Sequence, residues 1–153
     1  MKGKSRLPFE LAGYLKLGDA VNITDQDHRI LDNNGYYERA TGYSTNSIIR
    51  FKAGFLKSGI TPLYTYTSLK NELREGNPWS GVFTNRKKSG DIWHFSITIT
   101  PIHLEGQWYF VGIFRELEQL KEGIYLSEKK RAETQRELLK VFAISFEIRE
   151  SGP

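Results

Sequence analysis

Residues 78–102, PWSGVFTNRKKSGDIWHFSITITPI, decide the fold that this chain can adopt. A Trp follows Pro at the start, a charged loop with Ser-Gly lies in the middle, and the second half alternates apolar with polar residues. The alternating positions are Trp93, Phe95, Ile97 and Ile99 on one side, and His94, Ser96, Thr98 and Thr100 on the other. A period of two is typical of an antiparallel strand with one buried face. The stretch therefore predicts a β-hairpin whose inner face is almost entirely aromatic and β-branched.

The segments around this hairpin predict an α+β fold. A strand at residues 107–115 follows, and it is apolar on both faces, which predicts a central place in the sheet. Two short strands, residues 20–24 and 29–33, come before a run of short helical pieces at residues 35–55. A better helix begins at Thr61-Pro62 and ends near Gly76. Strands and helices that are segregated along the chain predict an antiparallel sheet with helices on one face.

Composition narrows the class of protein. The chain has 153 residues, 39% of them hydrophobic and 26% charged, which is typical of one globular domain. There is no cysteine, so disulfides, thiol catalysis and cysteine-based zinc or iron–sulfur sites are excluded. We find neither a signal peptide nor an apolar run of about 18 residues, and we expect a cytoplasmic protein that does not span a membrane.

The basic character of the chain does not predict a nucleic-acid site. The net charge is +4, but the positive residues lie in separate groups near the N-terminus, in the hairpin loop and in the tail. Acidic residues separate these groups, and no motif for reading bases or phosphates is present. Solvated surface charge is the interpretation that we prefer.

The C-terminal segment, residues 117–150, predicts a charged helix with two apolar half-seams. The half-seams are Leu117, Leu120 and Ile124, and then Leu138, Val141 and Ile148. Such a pattern favours a protruding helix that pairs with a copy of itself in a homodimer. The alternative is a solvated amphipathic helix that folds back on its own domain.

The ordered set of segments resembles a PAS sensor domain over residues 18–120. The matching strings are AVNITDQDHRIL, GYYERATGYS, FLKSGITPLYTYTSLKNELREGNPWSGVFTNRKKSGDIW, ITPI and YFVGIFRE. The flavin-containing PAS domains, of the light-sensing LOV type and the redox-sensing type, are the most similar subgroup. The resemblance implies a five-stranded antiparallel sheet that encloses a pocket, with an N-terminal cap segment at 1–17, the PAS domain at 18–116 and an exit helix after it.

The resemblance makes FMN or FAD a candidate cofactor and also shows where this chain departs from the flavin-binding pattern. Ala53 occupies the place of the reactive Cys of LOV domains, so a light-driven flavin–thiol adduct is impossible here. Asn85 matches the first of two flavin-bonding Asn residues, whereas the second falls on Phe95. A flavin-bonding Gln falls on Phe114. Neither phenyl ring can bond a flavin carbonyl, although both could fill the cavity.

We predict that seven residues form the ligand pocket. Trp79 is placed at the rim by its match to a Trp near the flavin of redox-sensing relatives, and its alternative role is a core aromatic that closes the hairpin base. Asn85 could instead bond loop backbone. The predicted lining is Phe83, Asn85, Phe95, Ile97, Phe110 and Phe114, with Trp79 at the rim.

Haem, metal and enzymatic activity are not expected. The long helix lacks the axial His that haem-sensing PAS domains need. The three histidines are assigned to a turn (His28), the polar strand face (His94) and a loop after Pro101 (His103), too far apart for a metal triad. No nucleophile–base pair or phosphate-binding glycine loop is present.

The expected function is a sensory and dimerisation module that relays ligand occupancy through its C-terminal helix to an output domain. The end of the chain, LLKVFAISFEIRESGP, resembles the first helix of an HD-GYP phosphohydrolase, which is a candidate output domain. Two alternatives remain. One is a ligand-free interaction scaffold whose own phenylalanines plug the cavity, and the other is a fragment of a cyclic-di-GMP phosphodiesterase.

Overall fold

A five-stranded antiparallel sheet organises the chain. The computed structural model describes residues 6–117. The strands are β1 (Ala20–Thr24), β2 (Ile30–Asn33), β3 (Trp79–Arg86), β4 (Ile92–Leu104) and β5 (Gln107–Glu116). Their order across the sheet is β2-β1-β5-β4-β3, and all pairs are antiparallel. The prediction that the doubly apolar strand is central is confirmed, because β5 lies between β1 and β4.

The register of the predicted hairpin places its aromatic residues on one face. Phe83 pairs with Phe95 across β3 and β4, and Asn85 pairs with Trp93. Strand β4 continues through Pro101, which lies beyond the end of β3. There β4 is an edge strand, where a residue without an N–H is tolerated.

The predicted position of His103 is wrong. We expected His103 in a loop after Pro101, but it lies in β4 and pairs with Trp108 of β5. The two side chains share a face, and their ring centroids are 4.8 Å apart.

The inner face of the sheet is covered by the helices between β2 and β3. They are α1 (Gly35–Thr41), α2 (Thr45–Ile48), a 3₁₀ helix (Ala53–Leu56) and α3 (Leu63–Arg74). Asn34 fixes the start of α1, because its side chain accepts hydrogen bonds from the N–H groups of Tyr37 and Val21. The predicted α+β arrangement is confirmed.

A further helix covers the opposite, outer face of the sheet. This 3₁₀ helix, Phe9–Lys16, lies in the predicted cap segment. Its Leu11 is 2% exposed and packs in one cluster with Val21 and Ile23 of β1 and with Val111 of β5. The two apolar faces of β5 are therefore buried by different parts of the chain.

Residues 50–61, here named the crossing segment, are bonded to both edges of the sheet. At one edge, the N–H of Ile30 in β2 donates to the carbonyl of Phe51. At the other edge, the hydroxyls of Ser58 and Thr61 donate to the carbonyl of Thr84 in β3, and the Thr61 hydroxyl accepts from the N–H of Thr84. The segment satisfies backbone groups that an open sheet leaves unpaired.

Gly81 allows Trp79 to fold over its own strand. The side chains of Trp79 and Phe83 lie on the same face of β3, two positions on either side of Gly81, and their ring centroids are 5.5 Å apart. A Cβ atom at Gly81 would overlap the indole ring. The glycine is needed here for space, because its backbone is ordinary strand.

We expect Gly81→Ala to lower the free energy of unfolding by about 1–3 kcal/mol, because the indole must leave its packed position. Urea denaturation of the full chain measures the change. Gly13→Ala is the matched control, since nothing lies within 4 Å of a Cβ atom at that position. The control should change the stability by less than about 0.5 kcal/mol, and equal effects of the two substitutions would contradict the packing explanation.

Candidate functional site

A cavity of about 950 Å³ lies between the inner face of the sheet and the covering helices. Its volume is in the range of small-molecule sites. Strands β4 and β5 form its floor, and α3 and the 3₁₀ helix Ala53–Leu56 form its walls. The apolar part of the lining includes Phe95, Ile97, Ile99, Phe110, Phe114, Leu56, Tyr66, Leu69 and Leu73.

The structure brings six of the seven predicted pocket residues together along this cavity. They are Phe83, Asn85, Phe95, Ile97, Phe110 and Phe114. Their common face follows from the register, since all six point inward from β3, β4 and β5. The alternation along β4 and β5 indicates the shared face of Phe95, Ile97, Phe110 and Phe114, and the resemblance to PAS domains implies that this face lines a pocket.

Trp79 does not line the cavity, contrary to its predicted place at the rim. It is 9% exposed, and its indole Nε1–H donates to Ser68 Oγ on α3 at 3.1 Å. Its ring lies over Gly81, in the space that a Cβ atom there would fill. Trp79 therefore has the alternative role that the sequence also allowed, that of a core aromatic at the base of the hairpin.

A cluster of rings forms one end of the cavity. The centroids of Trp93 and Phe95 are 4.2 Å apart, and those of Phe95 and Phe114 are 5.2 Å apart. Tyr37 of α1 contacts Phe114 edge-to-face at 5.4 Å. Phe95 and Phe114 thus stand inside the core, at the two positions where the flavin-binding pattern has amides. They make this end apolar but leave the large cavity beside them open.

Two polar atoms in the lining residues lack partners. Asn85 Oδ1 and Trp93 Nε1 are buried and have no hydrogen-bond partner within the described part of the chain. A buried polar group without a partner costs about 1–3 kcal/mol. A ligand group that formed hydrogen bonds with both atoms would recover that free energy.

His28 lies at the cavity, a position that the sequence did not indicate. It occupies the turn between β1 and β2 with φ of 62°, and its ring stacks on Phe110 with the centroids 4.6 Å apart. The pKa of His28 is lowered, first by burial and then by Lys52 and Lys70, against the opposing effect of Asp25 and Asp27. The position of His28 at the cavity is evident only in the folded chain, because nothing in the sequence of the turn indicates that its ring contacts β5.

The cavity lining is rich in positive charge. Its basic residues are Lys52, Lys57, Lys70 and Arg74, and its acidic residue is Glu75. Lys57 Nζ lies 4.5 Å from the ring centroid of Tyr66, and Lys52 Nζ donates to the carbonyl of Asp27 at 2.7 Å. This basic group is not evident in the sequence, because its members come from two separate segments. Two of them are in the crossing segment, and two are one turn apart on α3.

Residues 6–117 provide neither a metal site nor a membrane-spanning helix. In that range, no three His, Asp or Glu side chains are placed to hold a metal ion, and no helix is both long and apolar enough to cross a membrane. Ala53 lines the cavity at the start of the 3₁₀ helix, where LOV domains carry their reactive Cys. The predicted exit helix, its dimer seams and the HD-GYP-like end lie outside the described residues.

We expect the stability contribution of neutral His28 to be lost in acid. The folded chain holds the pKa of His28 below its ordinary value of 6.5, so the unfolded chain takes up a proton first as the pH falls. The stability of the wild type relative to His28→Asn should therefore be constant above neutral pH and should decrease below about pH 6.5. Asn is a suitable replacement because it tolerates a positive φ. Urea denaturation of both proteins at several pH values measures the difference, and a difference independent of pH would contradict the effect.

Comparison with known proteins gives one family. Residues 18–119 match the model of the PAS domain. A nitrogen fixation regulatory protein of Klebsiella oxytoca is 30% identical over 83 residues, which make up 54% of this chain and 17% of that protein. The chain thus matches only a small part of this relative's length.

Solved structures have the same fold. The LOV protein of Rhodobacter sphaeroides gives a TM-score of 0.65 at 20% identity, covering 73% of this chain and 67% of that chain. The LOV domain of a blue-light activated histidine kinase from Erythrobacter litoralis gives 0.63 at 24% identity, covering 68% of this chain and all of that domain. With the family model matched over well more than half of its length, the chain belongs to the PAS domain family.

Proposed function

We propose that this PAS domain is a sensory module whose cavity binds a planar aromatic ligand that carries an anionic group, with FMN or FAD as the first candidate. The observation that carries the proposal is the cavity of about 950 Å³, with rings at one end and basic residues in its lining. Aromatic rings favour a flat conjugated ligand, and the lysines and arginine favour a phosphate or another anion.

The residues present fit a flavin in part. Asn85 supplies one of the three amide positions of the flavin-binding pattern, and its unpartnered Oδ1 can accept a hydrogen bond. Phe95 and Phe114 supply apolar contact instead of hydrogen bonds. A bound flavin would supply redox chemistry or light absorption, and without a cysteine this chain would sense either one non-covalently.

The place of β5 supports a relay from the cavity to the C-terminal segment. Phe110, Gly112 and Phe114 contribute to the cavity lining, and the strand ends at Glu116, two residues after Phe114. The end of β5 is tied to the hairpin, because the N–H of Leu117 donates to the carbonyl of His94 and Lys87 pairs with Glu116 at 3.5 Å. A ligand that favours one arrangement of β5 would shift the population of exit conformations.

The relay is proposed to act in a cytoplasmic homodimer and to control an output domain that follows the exit segment. The nitrogen fixation regulatory protein supports a regulatory role, since its name describes regulation. The HD-GYP phosphohydrolase is the candidate output, on the resemblance of residues 138–153.

The ring cluster also favours a second candidate function, a ligand-free interaction scaffold. Trp93, Phe95 and Phe114 already pack against each other at one end of the cavity. A scaffold that binds its partners only through its surface would retain such a packed core. Whether a ligand occupies the remaining volume of the cavity therefore distinguishes the two functions.

We expect the purified full chain to carry or bind a flavin nucleotide. The protein is denatured and filtered, and the filtrate is analysed by absorbance and mass spectrometry. Protein that carries nothing is titrated with FMN and FAD, and quenching of the flavin fluorescence is measured. An empty filtrate together with unquenched titrations would reject the flavin and leave the scaffold.

A pair of neighbouring substitutions on β4 tests whether the ligand occupies this cavity. Ile99 lines it, whereas Thr98 is exposed on the outer face. We expect Ile99→Trp to fill the volume and to weaken ligand binding by at least about tenfold. Thr98→Trp adds the same side chain outside and should leave binding unchanged. Circular dichroism confirms that both variants fold, and equal binding by the two would place the ligand elsewhere.

A further inference from the structure

Trp93 and Asn85 are neighbours in the cavity lining, and each has an unsatisfied polar atom. They are directly paired across the antiparallel strands β3 and β4. Residues paired in this way carry their side chains on the same face, with Cβ atoms about 5 Å apart. The indole Nε1 of Trp93 and the Oδ1 of Asn85 are both buried without a partner in residues 6–117. The fold therefore places an unpartnered donor and an unpartnered acceptor on two directly paired residues.

The two groups do not satisfy each other. The indole N–H and the carboxamide oxygen make no mutual hydrogen bond, although their residues are paired. Trp93 is 1% exposed, so bulk solvent does not serve its N–H. Buried Trp N–H groups usually have a partner, as the N–H of Trp79 has in Ser68. Trp93 departs from this rule at a residue that contributes to the cavity lining.

We propose that Trp93 and Asn85 together bind one edge of the ligand, with the indole N–H donating and the Asn85 oxygen accepting. The inference rests on the proposed function and adds a residue that the flavin-binding pattern did not suggest. Because an indole N–H can only donate, the ligand must offer it an acceptor. The neighbouring oxygen requires a donor beside that acceptor. The pair thus selects a ring with adjacent C=O and N–H groups, which is the edge of a cyclic amide or imide.

A flavin has such an imide edge. Phe95 and Phe114 cannot bond it, and Trp93 provides the donor that those positions lack. The other ring contacts of Trp93 hold its indole in place, since it packs on Phe95 and on Phe114, the latter at 5.7 Å. A donor held by packing is pre-organised and needs little ordering when the ligand binds.

Binding of riboflavin and of 3-methylriboflavin by the full chain tests the pair. The methyl group removes the N–H of the imide and leaves its carbonyls. We expect Trp93→Phe to weaken riboflavin binding by about tenfold, because it keeps an aromatic ring and removes the donor. Wild type should prefer riboflavin to the methylated probe, and Asn85→Ala should abolish that preference. Trp93→Phe should keep the preference, since it leaves the Asn85 oxygen in place.

Trp79→Phe is the matched control for loss of a buried indole. Its N–H is bonded to Ser68 and it does not line the cavity, so riboflavin affinity should stay at the wild-type value. A second readout is the indole N–H resonance in an ¹⁵N-labelled sample of the chain, which has three Trp residues. The Trp93 resonance should move downfield when riboflavin binds, whereas that of Trp79 should stay nearly unchanged.

The outcomes separate this inference from the proposed function. If the wild type binds riboflavin and Trp93→Phe binds it with the same affinity, the donor role of Trp93 is overturned. The flavin proposal then remains intact. An unchanged preference in Asn85→Ala overturns the acceptor role. A wild-type chain that binds none of riboflavin, FMN and FAD overturns both this inference and the flavin proposal.

Discussion

The whole molecule depends on the burial of β5 on both faces. Its inner side chains, among them Phe110 and Phe114, form part of the cavity floor, whereas Tyr109 and Val111 pack under the N-terminal 3₁₀ helix. A strand of this kind is stable only in the middle of a sheet with a cover on each side. The central place of β5, the helices over the inner face and the cap on the outer face are three consequences of that requirement. The strand that lines the cavity is also the strand that leads to the C-terminal segment.

The interior combines well-packed aromatic rings with buried polar atoms that have no partner in residues 6–117. Ring contacts among Trp93, Phe95 and Phe114 provide stability without a ligand. The unpartnered atoms of Asn85 and Trp93 lower that stability by an amount that a suitable guest could restore.

The alternation of apolar and polar residues predicted the features that depend on the period of a strand. It failed for the features that depend on tertiary packing. Alternation along β4 and β5 was enough to place Phe95, Ile97 and Phe114 on one face. Trp79 shares a face with Phe83, as the period of two requires, but the position of its ring depends on the space above Gly81, which no period reveals. His28 and the basic side chains meet only after the turn, the crossing segment and α3 are folded around the same volume. His103 lies in β4 and not in a loop, because the strand continues beyond Pro101 along an edge where a residue without an N–H is tolerated.

The crossing segment has a consequence for how copies of this domain can associate. Its backbone and hydroxyl groups occupy bonding positions on both outermost strands, at Ile30 of β2 and at Thr84 of β3. Those are the positions at which a neighbouring molecule would otherwise add its own strand. Open-ended polymerisation through a continuous intermolecular sheet is therefore obstructed at both ends of the ladder.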